Sequence, residues 1–169
     1  MVTAPSPSAP TATATASAAA APAGAPIPVV RTITQIMADT YTLVVKTHGA
    51  HWNVRGSGFF ELHAAFEAQY QELLVAADEL AERVRALGQD VPGSMAQITA
   101  LSSIGEVSQT DGSSLVRALR DDHRFISKRC RDTIPAAEAS GDTATADLLI
   151  RRVQSHDKTA WMLSATLGS

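Results

Sequence analysis

Phe59–Leu87, FFELHAAFEAQYQELLVAADELAERVRAL, contains neither proline nor glycine, and its reading decides the fold. Phe59, Leu62, Phe66, Tyr70, Leu73, Ala77, Leu80 and Val84 recur at three- and four-residue steps, the period of one face of an amphipathic helix. Gly88 supplies the stop. On a wheel of about 100° per residue, His63, Glu67, Asp78 and Glu82 fall in one strip of roughly 100° beside that apolar face. Histidine and carboxylate are metal-ligand types, and here they border a packed interface.

His63/Glu67 and Asp78/Glu82 are i,i+4 neighbours, so each pair presents two donors to one point. The pairs cannot meet within one chain, because His63 and Glu82 lie roughly 28 Å apart along the helix. His51 sits on the inward stripe Ile36, Thr40, Val44, Thr47, His51 of the preceding helix. The turn Gly56-Ser57-Gly58 is centred halfway between His51 and His63, so an antiparallel hairpin brings both imidazoles to the same end. A twofold dimer with two copies of the second helix antiparallel is the simplest completion. His51, His63 and Glu67 of one chain then face the partner's Asp78 and the partner's Glu82, and symmetry makes two such sites. A mixed histidine and carboxylate set with open positions suits iron, manganese or zinc rather than a thiolate-seeking ion, and carboxylates that change denticity suit redox iron. Taken singly, each of the five is more often a solvated or capping residue; five on a common border favour the metal reading.

His51-Trp52-Asn53-Val54-Arg55-Gly56, followed by Phe59, Leu62-His63, Phe66-Glu67, Tyr70, Leu73, Asp78 and Ala81-Glu82-Arg83, resembles the ferroxidase signature of the Dps family, the mini-ferritins that protect DNA in starved bacteria. The likeness continues through Gly141-Asp142-Thr143, Thr145-Ala146-Asp147-Leu148-Leu149 and Lys158-Thr159-Ala160-Trp161-Met162-Leu163, and spans nearly everything after about Pro28. It implies an all-α, ferritin-like four-helix bundle, assembled from twofold dimers into a hollow dodecamer. Such a protein binds ferrous iron at intersubunit sites, oxidises it preferentially with hydrogen peroxide and stores the ferric mineral inside. Matched residue by residue, His51, Asp78 and Glu82 hold the tighter iron and His63 and Glu67 a weaker second position. Glu67 stands where many members carry Asp, which keeps the carboxylate but adds a methylene. Glu138, Asp142 and Asp147 cluster where acids of the family line a threefold pore for iron entry, since a negative funnel concentrates cations. Asp142 is equally what a helix N-cap demands.

Residues 1–27 are mostly Ala, Pro, Thr and Ser, and the first charged side chain is Arg31. Such a segment has too little large apolar surface to offset ordering entropy, so it reads as a disordered tail ahead of one domain over residues 28–169. It lacks the features of a secretory signal and of a transit peptide. Some Dps members bind DNA through a Lys/Arg-rich extension, and neither this tail nor the C-terminus offers a cation. The formal charge of −3 argues against an overt polycation. Arg117, Arg120, Arg124, Lys128 and Arg131 do form a basic stripe on one later helix, but Asp121 and Asp132 lie beside it, and it reads as a solvated or subunit-contact face. A nucleoid-associated protein in which DNA condensation is primary is the competing reading.

The remaining elements are helices over Thr32–Val54, from the Asp111-Gly112-Ser113 cap region to Ala139 with Pro135 loosening its end, and over Thr143–Leu167. A short extra helix over Ser94–Ala100 lies in the connection between the second and third long helices. His123 reads as a hydrogen-bonded core residue, His48 as packing, and His156 has no identifiable partner. Trp52 and Trp161 read as packing aromatics. The single Cys130 forbids an intrachain disulfide and suits a reducing cytoplasm. No apolar run reaches the roughly 18 residues needed to span a membrane.

Overall fold

A computed structural model describes residues 27–168, which form five helices and no strand: α1 (Ile27–Asn53), α2 (Phe59–Ala86), α3 (Met95–Leu101), α4 (Gly112–Ala139) and α5 (Thr143–Thr166). The tail assigned to residues 1–27 lies outside the described residues except for Ile27, which opens α1. That helix starts five residues ahead of the Thr32 expected from the sequence. Pro28 is the reason it can: in the first turn a missing N–H removes no intrahelical bond.

Two antiparallel hairpins, α1–α2 and α4–α5, pack side by side, α1 against α4 and α2 against α5, with α3 lying on α1. The core between them is filled by Ile33, Ile36, Leu43, Phe66, Leu73, Leu80, Leu115, Leu119, Ile126 and Leu149, all fully buried. On α2 the buried set is Leu62, Phe66, Leu73, Ala76, Ala77, Leu80 and Val84, which is the apolar face read from the sequence with Ala76 added, Tyr70 half-buried and Phe59 exposed at its start. Pro135 is accommodated inside α4, which runs on to Ala139.

Local chemistry sets the element ends. Gly58 caps α2 with φ 76°, a left-handed conformation that glycine adopts without strain. Asp111 accepts from Ser114 N at the start of α4, and Ser94 does the same for Gln97 N in α3. At Gly112 a Cβ would meet Leu62 Cδ1 at 2.7 Å, so the first turn of α4 sits hard against α2 just below the α1–α2 turn. Arg55 in that turn forms a single parallel bridge with Asp111.

The long connection from α3 to α4 is pinned by two ion pairs that the sequence did not announce. Asp39 on α1 is fully buried; it accepts from Ser103 N at 2.6 Å, Ser102 Oγ at 3.1 Å and Arg129 Nη1 of α4 at 2.8 Å. Burial still pushes its carboxyl above the usual range, against the pull of these bonds. Lys46 pairs with Asp122 at 2.6 Å and donates to Gly105 O at 2.9 Å. These contacts fix the register of α1 against α4.

His123 is buried, as its place on the inner face suggested, and its partner is His156, across 2.8 Å between the two Nδ1 atoms. Cys130 is buried, and burial pushes its thiol up to about 12, so it carries no reactive thiolate.

Candidate metal centre

The five-residue turn between α1 and α2 places the last turn of one helix beside the first turns of the next, and with them His51 and His63. The two rings stack with centroids 3.7 Å apart. His51 Nδ1 lies 2.8 Å from the His63 carbonyl oxygen, and His63 Nδ1 lies 2.9 Å from the His51 carbonyl oxygen. A carbonyl only accepts, so each Nδ1 donates its N–H, which leaves Nε2 as the nitrogen that can face a metal ion. The exchange also satisfies one of the carbonyls left over at the end of α1. Fixing the tautomer and orientation of an imidazole through its second nitrogen is what a metal-ligating histidine requires.

Aromatic neighbours hold the pair. His51 meets the edge of Tyr70 with centroids 5.5 Å apart, and Phe59 stacks on His63 at 5.2 Å. His48 packs between Tyr70 at 4.2 Å and Trp52 at 4.0 Å, in the packing role read for it. Trp52 itself is 67 % exposed rather than packed away.

Glu67, one turn beyond His63, is exposed, as are Asp78 and Glu82. The strip they share continues onto an open face of α2 where Phe60 is 81 %, Val75 61 % and Leu74 49 % exposed. Exposed apolar side chains set among carboxylates, with Leu74 and Val75 adjacent, give this face the composition of a candidate contact surface. The sequence showed this only indirectly, through apolar residues at positions off the core face. Among the described residues no group of three or more His, Cys, Asp or Glu side chains converges closely enough to hold a metal ion. The structure therefore brings His51 and His63 together, with Glu67 adjacent, and leaves Asp78 and Glu82 far along the helix.

The three acids grouped at the α4–α5 loop divide. Asp142 is buried and caps α5: its oxygens accept from Thr145 N at 3.0 Å, Thr145 Oγ1 at 2.6 Å and Arg83 Nη2 at 2.5 Å. Burial opposes its ionisation, but these bonds outweigh it and hold the carboxyl below the usual range. Glu138 and Asp147 are exposed, Asp147 paired with Arg151.

Each cation of the basic stripe on α4 is engaged. Arg117 bonds Ser113, Arg120 and Arg124 share Asp121, Lys128 pairs with Asp132, and Arg131 pairs with Asp157 on α5. No helix among the described residues is long and apolar enough to cross a membrane.

The chain resembles known proteins in sequence and in fold. Residues 31–169 match the family model described as a ferritin-like domain. The chain is 34% identical over 141 residues to DNA protection during starvation protein 2 of Bacillus anthracis, covering 83% of this chain and 97% of that one. It is 36% identical over 142 residues to antigen TpF1 of Treponema pallidum, covering 82% and 80%. Among solved structures, Dps from Staphylococcus aureus superposes with a TM-score of 0.81 at 32% identity, over 85% of this chain and 98% of that one. The Dps protein of Vibrio cholerae, described as a member of a broad superfamily of ferritin-like diiron-carboxylate proteins, superposes with a TM-score of 0.80 at 32% identity, over 83% and 89%. With four long helices, a short helix in the middle connection and these relatives, the chain belongs to the Dps family of ferritin-like proteins.

Proposed function

We propose that this protein is a ferroxidase that oxidises ferrous iron with hydrogen peroxide at sites shared by two copies of the chain, and stores the ferric product inside a hollow dodecamer. The observation that carries this reading is the pair of imidazoles, each locked by a carbonyl so that Nε2 is the free donor, standing beside the open carboxylate face of α2.

The register supports it. His63 with Glu82, and Glu67 with Asp78, are centred on the same point of α2, between Glu72 and Leu73. One antiparallel pairing about that point faces His63 with the partner's Glu82 and Glu67 with the partner's Asp78 at once. It also brings Leu74 and Val75 close to the twofold axis, where their exposed surface is covered. His51, Asp78 and Glu82 hold the tighter iron and His63 and Glu67 the second position. Negative ligands favour the ferric product over the ferrous substrate, and open coordination positions admit peroxide. Two ferrous ions each give one electron to one peroxide, which takes two protons and leaves as two waters, so no hydroxyl radical forms. Of the three acids at the α4–α5 loop, Glu138 is exposed and contributes negative charge that draws iron toward the assembly, whereas Asp142 and Asp147 are already paired with Arg83 and Arg151.

Protection of DNA follows from removing iron and peroxide together. The relative in Bacillus anthracis carries DNA protection in its name. Direct DNA binding is the weaker reading here, because the α4 cations are locally neutralised and residues before Arg31 carry no positive side chain.

Stopped addition of peroxide to the anaerobic, iron-loaded protein tests the chemistry. Two irons oxidised per peroxide is the expected ratio; a ratio of one, or oxidation no faster than free iron, refutes it. Gel shift over a salt series separates the alternative: tight retention that weakens steeply with salt would make DNA condensation primary.

A further inference from the structure

The middle of the bundle carries a polar cluster that the shared metal site does not use. His123 on α4 and His156 on α5 are each 1 % exposed, with their Nδ1 atoms in hydrogen-bond contact. One ring must donate and the other accept. With both rings neutral, the donor ring has a bare Nε2 and the acceptor ring carries Nε2–H. Both Nε2 atoms are buried without a protein hydrogen-bond partner among the described residues, and so are Arg152 Nε, Gln69 Oε1 and Thr47 Oγ1.

Ion pairs show that these atoms share a level. Lys46–Asp122 sets Thr47 of α1 beside the α4 turn that holds His123. Glu72, which accepts from Arg152 and Ser155, sets Gln69, one turn back on α2, beside the α5 turn that holds His156. Glu72 and Arg152 are close enough to His123 to bias its charge in opposite directions, and Arg152 also bears on His156. Each of the four long helices therefore brings an unsatisfied polar atom to one layer. Native interiors leave few such atoms unpaired.

We propose that this layer is a hydrated site, in which ordered water bridges the two Nε2 atoms of the His123–His156 pair to Arg152, Gln69 and Thr47. One Nε2 offers a proton and the other a lone pair, so the occupant must both accept and donate; water does, and a buried site with several polar partners is where ordered water resides. A divalent cation does not fit. Ligation by both Nε2 atoms would put protons on both Nδ1 atoms, donor against donor at 2.8 Å, with Arg152 adding positive charge alongside. An anion fits no better, because Glu72 already holds Arg152 and a bare imidazole nitrogen repels it. With water at both ends the pair has the hydrogen-bond pattern of a proton relay that needs no change of net charge. One proton is taken up at the bare Nε2, the Nδ1 proton crosses to the facing ring, and one leaves from the other Nε2.

The test is a crystal structure of the assembled protein, from crystals soaked in zinc salt, at a resolution that orders solvent. Expected are solvent peaks about 2.7–3.2 Å from each Nε2 and no anomalous zinc signal on either ring. A dry layer, side chains closed onto the two nitrogens, or zinc bound to His123 or His156 overturns the proposal. Zinc at His51 and His63 is read from separate peaks, so the outcome here is independent of the shared site.

Discussion

Replacing Val75 by aspartate isolates the contact surface from the metal ligands. Val75 is 61 % exposed on α2, next to the point between Glu72 and Leu73 about which the proposed twofold acts. Burying a whole valine side chain stabilises by about 1.5–3 kcal/mol, so covering the exposed part of this one contributes ~1–2 kcal/mol per copy. Symmetry doubles that to ~2–4 kcal/mol per dimer. Aspartate removes the gain and places a carboxylate with no opposite charge in a desolvated contact, which costs a further several kcal/mol. At about 1.4 kcal/mol per tenfold, the dissociation constant rises by roughly three orders of magnitude or more. Val75 does not pack into the core of its own chain, so helix content by circular dichroism stays at the wild-type level. Sedimentation velocity over a concentration series reads the assembly, and peroxide-driven iron oxidation falls as chains separate. If the Val75→Asp protein assembles and oxidises iron as the wild type does, α2 is not the twofold surface and the reasoning fails.

Three other outcomes follow from the same geometry. Asp78→Ala combined with Glu82→Ala removes exposed carboxylates only, so the protein is expected to fold and assemble while losing rapid iron oxidation; wild-type rates would refute the ligand assignment. Asp39→Ala removes the buried acceptor shared by Arg129, Ser102 and Ser103 while Arg129 keeps Gln35, and is expected to lower stability by about 1–3 kcal/mol in a denaturant titration, against well under 1 kcal/mol if the clamp is incidental. Burial pushes the His123 imidazole down to about 4 and lowers His156 as well. A depressed folded value means that the stability is complete above the ordinary histidine range near 6.5 and is lost as pH falls toward 4, by roughly 3 kcal/mol for His123 alone. Denaturation at a series of pH values should show that loss in the wild type and a flatter profile in His123→Leu with His156→Leu; equal slopes would contradict it.

The helical pattern was legible because it is a property of one chain segment. The apolar spacing of Phe59–Leu87 marks a buried face, and the buried residues of α2 are that face. Gly56-Ser57-Gly58 marked the hairpin that brings His51 to His63, and Asp142 could be read as a cap. What could not be read were contacts made between segments distant in sequence. Nothing near His156 names His123 as its partner, and nothing near Asp39 indicates that it reaches both Arg129 and the backbone of Ser103. The carbonyl bonds that fix both imidazole tautomers were likewise invisible, because a backbone oxygen leaves no trace in the residue pattern. The start of α1 moved from Thr32 to Ile27 because a proline in the first turn is permissive, whereas farther along a helix it would have ended the run.

The most direct measurement is an anomalous-difference map from crystals of the assembled protein soaked anaerobically in ferrous salt. An iron peak is expected bonded to His51 Nε2 of one chain and to the partner's Asp78 and the partner's Glu82, with a weaker peak toward His63 and Glu67. Iron bound wholly within one chain, or the partner's carboxylates turned away from an empty pair of imidazoles, would contradict it.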